Sequence, residues 1–151
     1  MHVFARKPWS ALALILWMSV IFAFSSVPGG TPSAEMPLTY FLERKGAHVF
    51  EYFVLLLLIY NVLRAYSSYD HFGLKLALAG PLSLLYAFSD EVHQLVVPGR
   101  EGKLADVGID AIGIALGLIV IALMSEKKKI KKRKTTKKKM NPKKAKDPLK
   151  K

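Results

Sequence analysis

Cysteine is absent from this 151-residue chain, which excludes a disulfide framework, a thiolate zinc site and a cysteine nucleophile, and leaves the redox compartment open. Also missing are the His-Glu-x-x-His helix of zinc hydrolases, the glycine-rich phosphate loop of nucleotide hydrolases and the Gly-x-Ser-x-Gly elbow of serine esterases. Internal repeats are lacking too. Acid is scarce, with 11 Asp and Glu against 23 Lys and Arg. What the chain has is apolar content: 52% hydrophobic residues and a mean hydropathy of +0.25, high for a soluble domain.

The charge is divided unevenly. Residues 1–125 carry 8 Lys and Arg against 9 Asp and Glu, a balance of −1, whereas residues 126–151 carry 15 against 2, a balance of +13. Residues 1–125 read as one hydrophobic domain and residues 126–151 as a disordered, Lys-rich tail.

Four apolar runs organise the domain: Trp9–Phe24, Ala47–Leu63, Phe72–Phe88 and Leu104–Met124. Each approaches the ~20 residues that cross a ~30 Å hydrocarbon core once tilt and interfacial residues are allowed for. The expected fold is an all-α integral membrane protein, a bundle of four transmembrane helices. In the third run Lys75 lies in the first turn, where a lysine can snorkel, and Gly80-Pro81 sits in the middle, where neighbouring helices can satisfy the freed carbonyl. The proline- and glycine-rich stretch 27–43 reads as a surface connector.

Counting Lys and Arg in the loops places both termini in the cytoplasm and the protein in the cell membrane. Arg6, Lys7, Arg64, Lys75 and the tail then fall inside; Arg44, Lys45, Arg100 and Lys103 fall outside. The acids divide the other way, with Glu35, Glu43, Glu51, Asp90, Glu91, Glu101, Asp106 and Asp110 outside and Asp70 inside. Arg6-Lys7, the first apolar run and small residues near Ala23–Ser26 also fit a cleavable signal peptide; Trp17 and the turn-rich Val27-Pro28-Gly29-Gly30 fit a retained span.

Ionisable groups beside a bilayer are costly and mark function by default. On a helix Lys45, His48 and Tyr52 share one face, with Glu51 one turn from His48. Arg44 and Tyr52 alone would fit an interfacial collar; His48 and Glu51 are not usual collar residues. A second stripe, Tyr86, Asp90, His93 and Val97, ends the third run with Glu91 and Gln94 beside it, and Pro98-Gly99 turns the chain into Arg100. A third stripe, Asp106, Asp110, Gly113 and Gly117, opens the fourth run. Gly113-x-x-x-Gly117 is a small-residue face for close helix packing. Because a lipid-facing Asp would cost about 2.5–3.5 kcal/mol at the helix centre, Asp106 and Asp110 should point with the glycines at protein. A structural salt bridge from either to Arg100, Arg44 or Lys45 is the simpler alternative for two or three of these groups.

These pieces, Lys45-x-x-His48-x-x-x-Tyr52, Asp90-Glu91-x-His93-Gln94-x-x-x-Pro98-Gly99-Arg100 and Asp106-x-x-x-Asp110-x-x-Gly113-x-x-x-Gly117, with Ser25-Ser26 closing the first run, resemble the VanZ-like membrane proteins. That family takes its name from a glycopeptide-antibiotic resistance factor. The chain departs from the pattern at Val27, where many relatives have Gln, and at Asp110, where many have Asn. The resemblance implies a small multi-pass protein, associated in some members with altered sensitivity to cell-wall-directed antibiotics; it implies no particular reaction.

Three functions are open. A binding module would hold a lipid headgroup, a cell-wall precursor or a partner protein among His48, Glu51, Asp90, Glu91, His93, Gln94, Arg100, Asp106 and Asp110. A membrane hydrolase or transferase would use the same imidazoles and carboxylates as general base or as ligands of a divalent metal, with Arg44, Lys45 and Arg100 on a lipid-linked phosphate. Coupled transport calls for midplane charges and broken helices, and the charges here gather at one end. The tail suits anionic lipid at about 1 kcal/mol per Lys or Arg; without an aromatic to stack or a base-reading motif it points away from nucleic acid.

Overall fold

In lipid the backbone must satisfy its own hydrogen bonds within each spanning segment, so long apolar runs resolve as helices. A computed structural model describes residues 3–29, 38–67 and 71–140, which contain no strand. They form α1 (Val3–Ser25), α2 (Leu38–Tyr66), α3 (Phe72–Gln94) and α4 (Leu104–Met140). Each holds a stretch long and apolar enough to cross a membrane: Pro8–Ser25, Arg44–Tyr66, Phe72–Gln94 and Leu104–Thr136. Glu35, Asp70 and residues 141–151 lie outside the described residues, as do the side chains of Arg6, Lys7 and Glu43.

By packing, the chain divides into residues 1–118 and 119–151. In the first unit α2 packs on both α1 and α3, and α1 touches α3. The second unit continues α4 to Met140. Residues 126–140 are thus helical, where composition alone predicts disorder. Lys and Arg are good helix formers, and a helix already nucleated in the span extends without the cost of a new first turn.

Burial differs from that of a soluble protein, for beside an apolar core that includes Leu55 and Leu56 it takes in many ionisable groups. Ile15 and Leu85 are 60% and 65% exposed, while Asp90, Gln94, Asp106 and Asp110 are buried. Apolar groups outside and polar groups inside is the arrangement hydrocarbon demands. Along α3 the buried side is small and polar, with Ala79, Gly80, Ser83 and Ala87. Pro81 does not interrupt the helix, and Ser83 Oγ donates to the Ala79 carbonyl at 2.8 Å.

Two expectations shift. Residues 38–43 belong to α2 rather than to the connector; proline there ends at Pro37, and nothing after it breaks a helix. Lys75 is buried rather than extended toward solvent.

The glycine stripe sets how closely α4 approaches α2. A Cβ at Gly113 would overlap the Val49 carbonyl oxygen and stand 3.0 Å from the Phe53 amide nitrogen, and one at Gly117 would lie 2.5 Å from Leu56 Cδ2. At Gly113 the obstacle is backbone, which cannot step aside; at Gly117 it is the end of a side chain, which can. A Cβ at Gly108 meets nothing within 4 Å. Gly113→Ala should therefore lower stability by about 1–3 kcal/mol, as overpacking does, whereas Gly108→Ala should raise it by up to about 1 kcal/mol through helix propensity. Thermal unfolding in detergent checks both; equal melting of the two variants would show that α2 and α4 do not meet at Gly113.

Candidate functional site

The start of α2 and the start of α4 face each other in register. Lys45 pairs with Asp106 and His48 with Asp110; one to two turns further on, Gly113 meets Val49 and Phe53, and Gly117 meets Leu56. The two helices therefore run in the same direction, each polar stripe opposite the other. The ion pair of Asp106 is made with Lys45, one of the three partners its sequence position allows.

Beneath that pair lies a buried cluster. His48 Nδ1 and Asp110 Oδ1 are 3.0 Å apart, and Asp110 is 0% exposed. Glu91, 3% exposed, comes in from α3, and its Oε2 accepts the Lys103 backbone N–H at 2.8 Å. This bond ties the end of α3 to the residue that opens α4, where a carboxylate also suits the positive end of the helix dipole. Asp110 Oδ2, Glu91 Oε1 and the Tyr52 hydroxyl are buried without a hydrogen-bond partner among the described residues. One donor atom from each of His48, Glu91 and Asp110 lies within 4.8 Å of the other two. Next to them Asp90 Oδ2 accepts from Gln94 Nε2 at 3.0 Å, and that same nitrogen reaches Ser25 Oγ at 3.5 Å.

Arg100 and His93 serve a different purpose from the acids beside them in sequence. A helix ends with carbonyls that have no intrahelical partner. At the end of α1, Arg100 Nη2 donates to the Phe24 carbonyl at 2.7 Å and Nε to the Val27 carbonyl at 3.0 Å. His93 Nε2 lies 3.0 Å from Ser26 Oγ, and its ring stacks on Phe22 with centroids 4.5 Å apart. Gly29 N–H donates to the Pro98 carbonyl at 3.1 Å. Gly99 has φ of 71°, and a Cβ on it would overlap the Gly29 carbonyl oxygen; glycine is needed there both for the left-handed turn and for the approach. The turn after α3 thus clasps the end of α1.

Between clasp and cluster is a cavity of about 370 Å³, lined by Ser25, Val27, Arg44, His48, Glu51 and Arg100 among others. His48 belongs to both cavity wall and buried cluster. Glu101 and Lys103, by contrast, form an ion pair in open solvent; the ammonium's hydrogen bond holds the Glu101 carboxyl below its usual range and raises the Lys103 ammonium, which solvent screening makes a small contribution.

Of the expected residues, Glu91, Asp110 and His48 converge, Lys45 and Asp106 pair beside them, Arg44, Glu51 and Arg100 line the cavity, and His93 turns away to α1. Tyr52 is wholly buried instead of sitting in an interfacial belt; its shared face with Lys45 and His48 was the signal. Two fixing groups carry no sequence signal, because their partners are main-chain atoms: Tyr86 donates to the Met18 carbonyl at 2.7 Å and Trp17 Nε1 to the Glu51 carbonyl at 3.0 Å.

This geometry defines a class, a polytopic α-helical membrane protein with an ionisable cluster buried at one end of its helices. The chain belongs to the VanZ/LLP1 family, whose model matches residues 10–125. No curated protein and no solved structure matches it.

Replacing Arg100 by Ala should free the end of α1 and cost about 1.5–3 kcal/mol, the range for hydrogen bonds to a charged group. Arg100→Lys should restore little of it, because a single ammonium cannot reproduce the fork that reaches two carbonyls. Hydrogen exchange at Ser26, Val27 and Gly29 reads this directly; unchanged protection in Arg100→Ala would refute the clasp.

Proposed function

We propose that this VanZ-family membrane protein binds the phosphate-bearing headgroup of an envelope lipid or lipid-linked cell-wall precursor in the cavity between α1, α2 and Arg100. The observation that carries this reading is the cavity itself, with Arg44, His48 and Arg100 on its wall. Its volume falls within the range of about 300–1,000 Å³ common for small-molecule sites, and guanidinium groups suit phosphate oxygens. A cavity at the ends of spanning helices suits a headgroup, and the exposed Phe24 beside it leaves apolar surface for the lipid chain. The distribution of Lys and Arg supports an outward-facing site in the cell membrane and cytoplasmic termini, with the Lys-rich tail drawn to anionic lipid. Occupancy of such a site by a precursor or an envelope lipid would alter sensitivity to glycopeptide antibiotics.

A second reading, hydrolysis or transfer at the lipid-linked phosphate, draws on one further observation. His48 is oriented by Asp110 and reaches the cavity, as a general base held by a carboxylate would be. Release of phosphate or pyrophosphate from a lipid-linked substrate by purified protein separates the two readings.

For binding, the charge of the wall predicts opposite signs. Arg44→Ala should weaken capture of a polyprenyl phosphate in nanodiscs by about tenfold, as loss of one charge-assisted hydrogen bond would. Glu51→Gln, which removes an acid from the same wall, should tighten it. Native mass spectrometry of the retained lipid measures both; affinities that ignore the two changes would sink the cavity as a headgroup site.

A further inference from the structure

Two carboxylates in the buried cluster are held in the same unusual way. Glu91 is fixed through Oε2 by the Lys103 N–H, and Asp110 through Oδ1 by His48. In each the second oxygen, Glu91 Oε1 and Asp110 Oδ2, is buried and has no hydrogen-bond partner among the described residues. Taking an ionised carboxylate out of water costs several kcal/mol unless a partner compensates, and buried polar atoms are nearly always satisfied. Two carboxylates from different helices, each with one unsatisfied oxygen, and one imidazole offer one donor atom apiece within 4.8 Å of one another, which points to a shared ligand.

We propose that His48, Glu91 and Asp110 bind one divalent first-row cation, of the Mn²⁺ or Zn²⁺ type, behind the part of the cavity wall that His48 forms. The donor set is one borderline nitrogen and two hard oxygens, which fits those ions better than it fits a soft metal. Two carboxylates supply the two negative charges that a divalent ion neutralises. Glu91 is pinned by the Lys103 N–H in the way outer partners orient metal ligands, and with His48 Nδ1 held against Asp110 Oδ1 the imidazole would ligate through Nε2. Three protein donors leave coordination positions open, as in metal sites that also take an exogenous ligand. Neighbouring acids are otherwise engaged: Asp106 with Lys45 and Asp90 with Gln94. His48 also lines the cavity, so the cation would lie beside the headgroup; that juxtaposition, unlike the cation site, rests on the phosphate reading above.

The test uses the full-length chain in detergent, stripped with a chelator and titrated with MnCl₂ alone, without phosphate or phospholipid, while the free Mn²⁺ signal is followed by electron paramagnetic resonance; ZnCl₂ then competes. One ion per chain is expected, with pulsed measurements showing a coupled imidazole nitrogen that His48→Gln removes. Glu91→Gln and Asp110→Asn should each weaken Mn²⁺ binding by roughly tenfold to a hundredfold or more, whereas Glu101→Gln, an exposed carboxylate at the same end, should leave it unchanged. Should the buried variants fail to fold, the imidazole coupling and a Mn²⁺-dependent rise in the wild-type melting temperature decide the matter without them. Absence of binding, binding without imidazole coupling, or binding indifferent to Glu91→Gln and Asp110→Asn would overturn the proposal. Polyprenyl phosphate captured in excess chelator by a chain that binds no Mn²⁺ would refute the cation and retain the headgroup site; Mn²⁺ bound by a chain that captures no lipid phosphate would do the reverse.

Discussion

An ionised side chain inside a membrane span has to face protein, and at Asp110 that requirement organises the rest of the first unit. Asp110 lies one to two turns into α4 and meets His48 on α2. Once that pair is made, the spacing of each helix dictates what else can meet: Lys45 reaches Asp106, and Gly113 and Gly117 fall against Val49, Phe53 and Leu56. The glycines are therefore the condition for the charges. With a Cβ at Gly113 the two backbones could not approach, and the His48–Asp110 contact would open. In hydrocarbon the helices gain little from apolar contact with each other, since lipid is equally apolar, so close packing and polar pairing have to act together.

The attachment of α1 uses a different principle. Beside the ring stack and the serine contacts, side chains reach main-chain carbonyls, from Arg100, Tyr86 and, toward α2, from α1's own Trp17. Met18 and Glu51 accept these bonds from within helices, whereas at the end of α1 the carbonyls have no partner within the helix. The Pro98-Gly99-Arg100 turn answers this need with one planar fork. It also fixes one wall of the cavity, because Arg100 lines it from the clasp while Arg44, His48 and Glu51 line it from α2. Cavity shape thus depends on two independent fastenings that meet at the same end of the helices.

Much of this was legible in the sequence because helical periodicity records which residues share a face. The four apolar runs give the four spanning helices, and the stripes through Lys45 and His48 and through Asp106 and Gly113 contain the α2–α4 contact. Periodicity does not record which neighbour a face meets. His93 and Arg100 lie among acids in sequence, yet they turn to α1, because their partners are a serine, an aromatic ring and main-chain carbonyls that carry no side-chain signature. Tyr52 taken alone reads as an interfacial residue, since its ring is amphipathic; its place on the His48 face is what points inward. The helix at residues 126–140 shows composition giving way to continuity, as a basic segment extends a span that is already helical.

The balance of charge at the buried end links the cavity to the cluster below it. Lys45 answers Asp106, and the Gln94 amide answers Asp90, but Glu91 and Asp110 keep one oxygen each without a partner. Uncompensated, that negative charge opposes any anion that Arg44 and Arg100 would attract, with Glu51 adding to it. Whatever neutralises the two carboxylates, a cation or protons, removes the opposition and strengthens the field at the cavity. Linkage makes the effect reciprocal: an anion in the cavity must favour the neutralised cluster by the same free energy. Because His48 touches both places, it is the residue through which such coupling would be strongest, and the burial of its partners, where effective dielectric is low, makes the coupling larger than the same charges would produce in water.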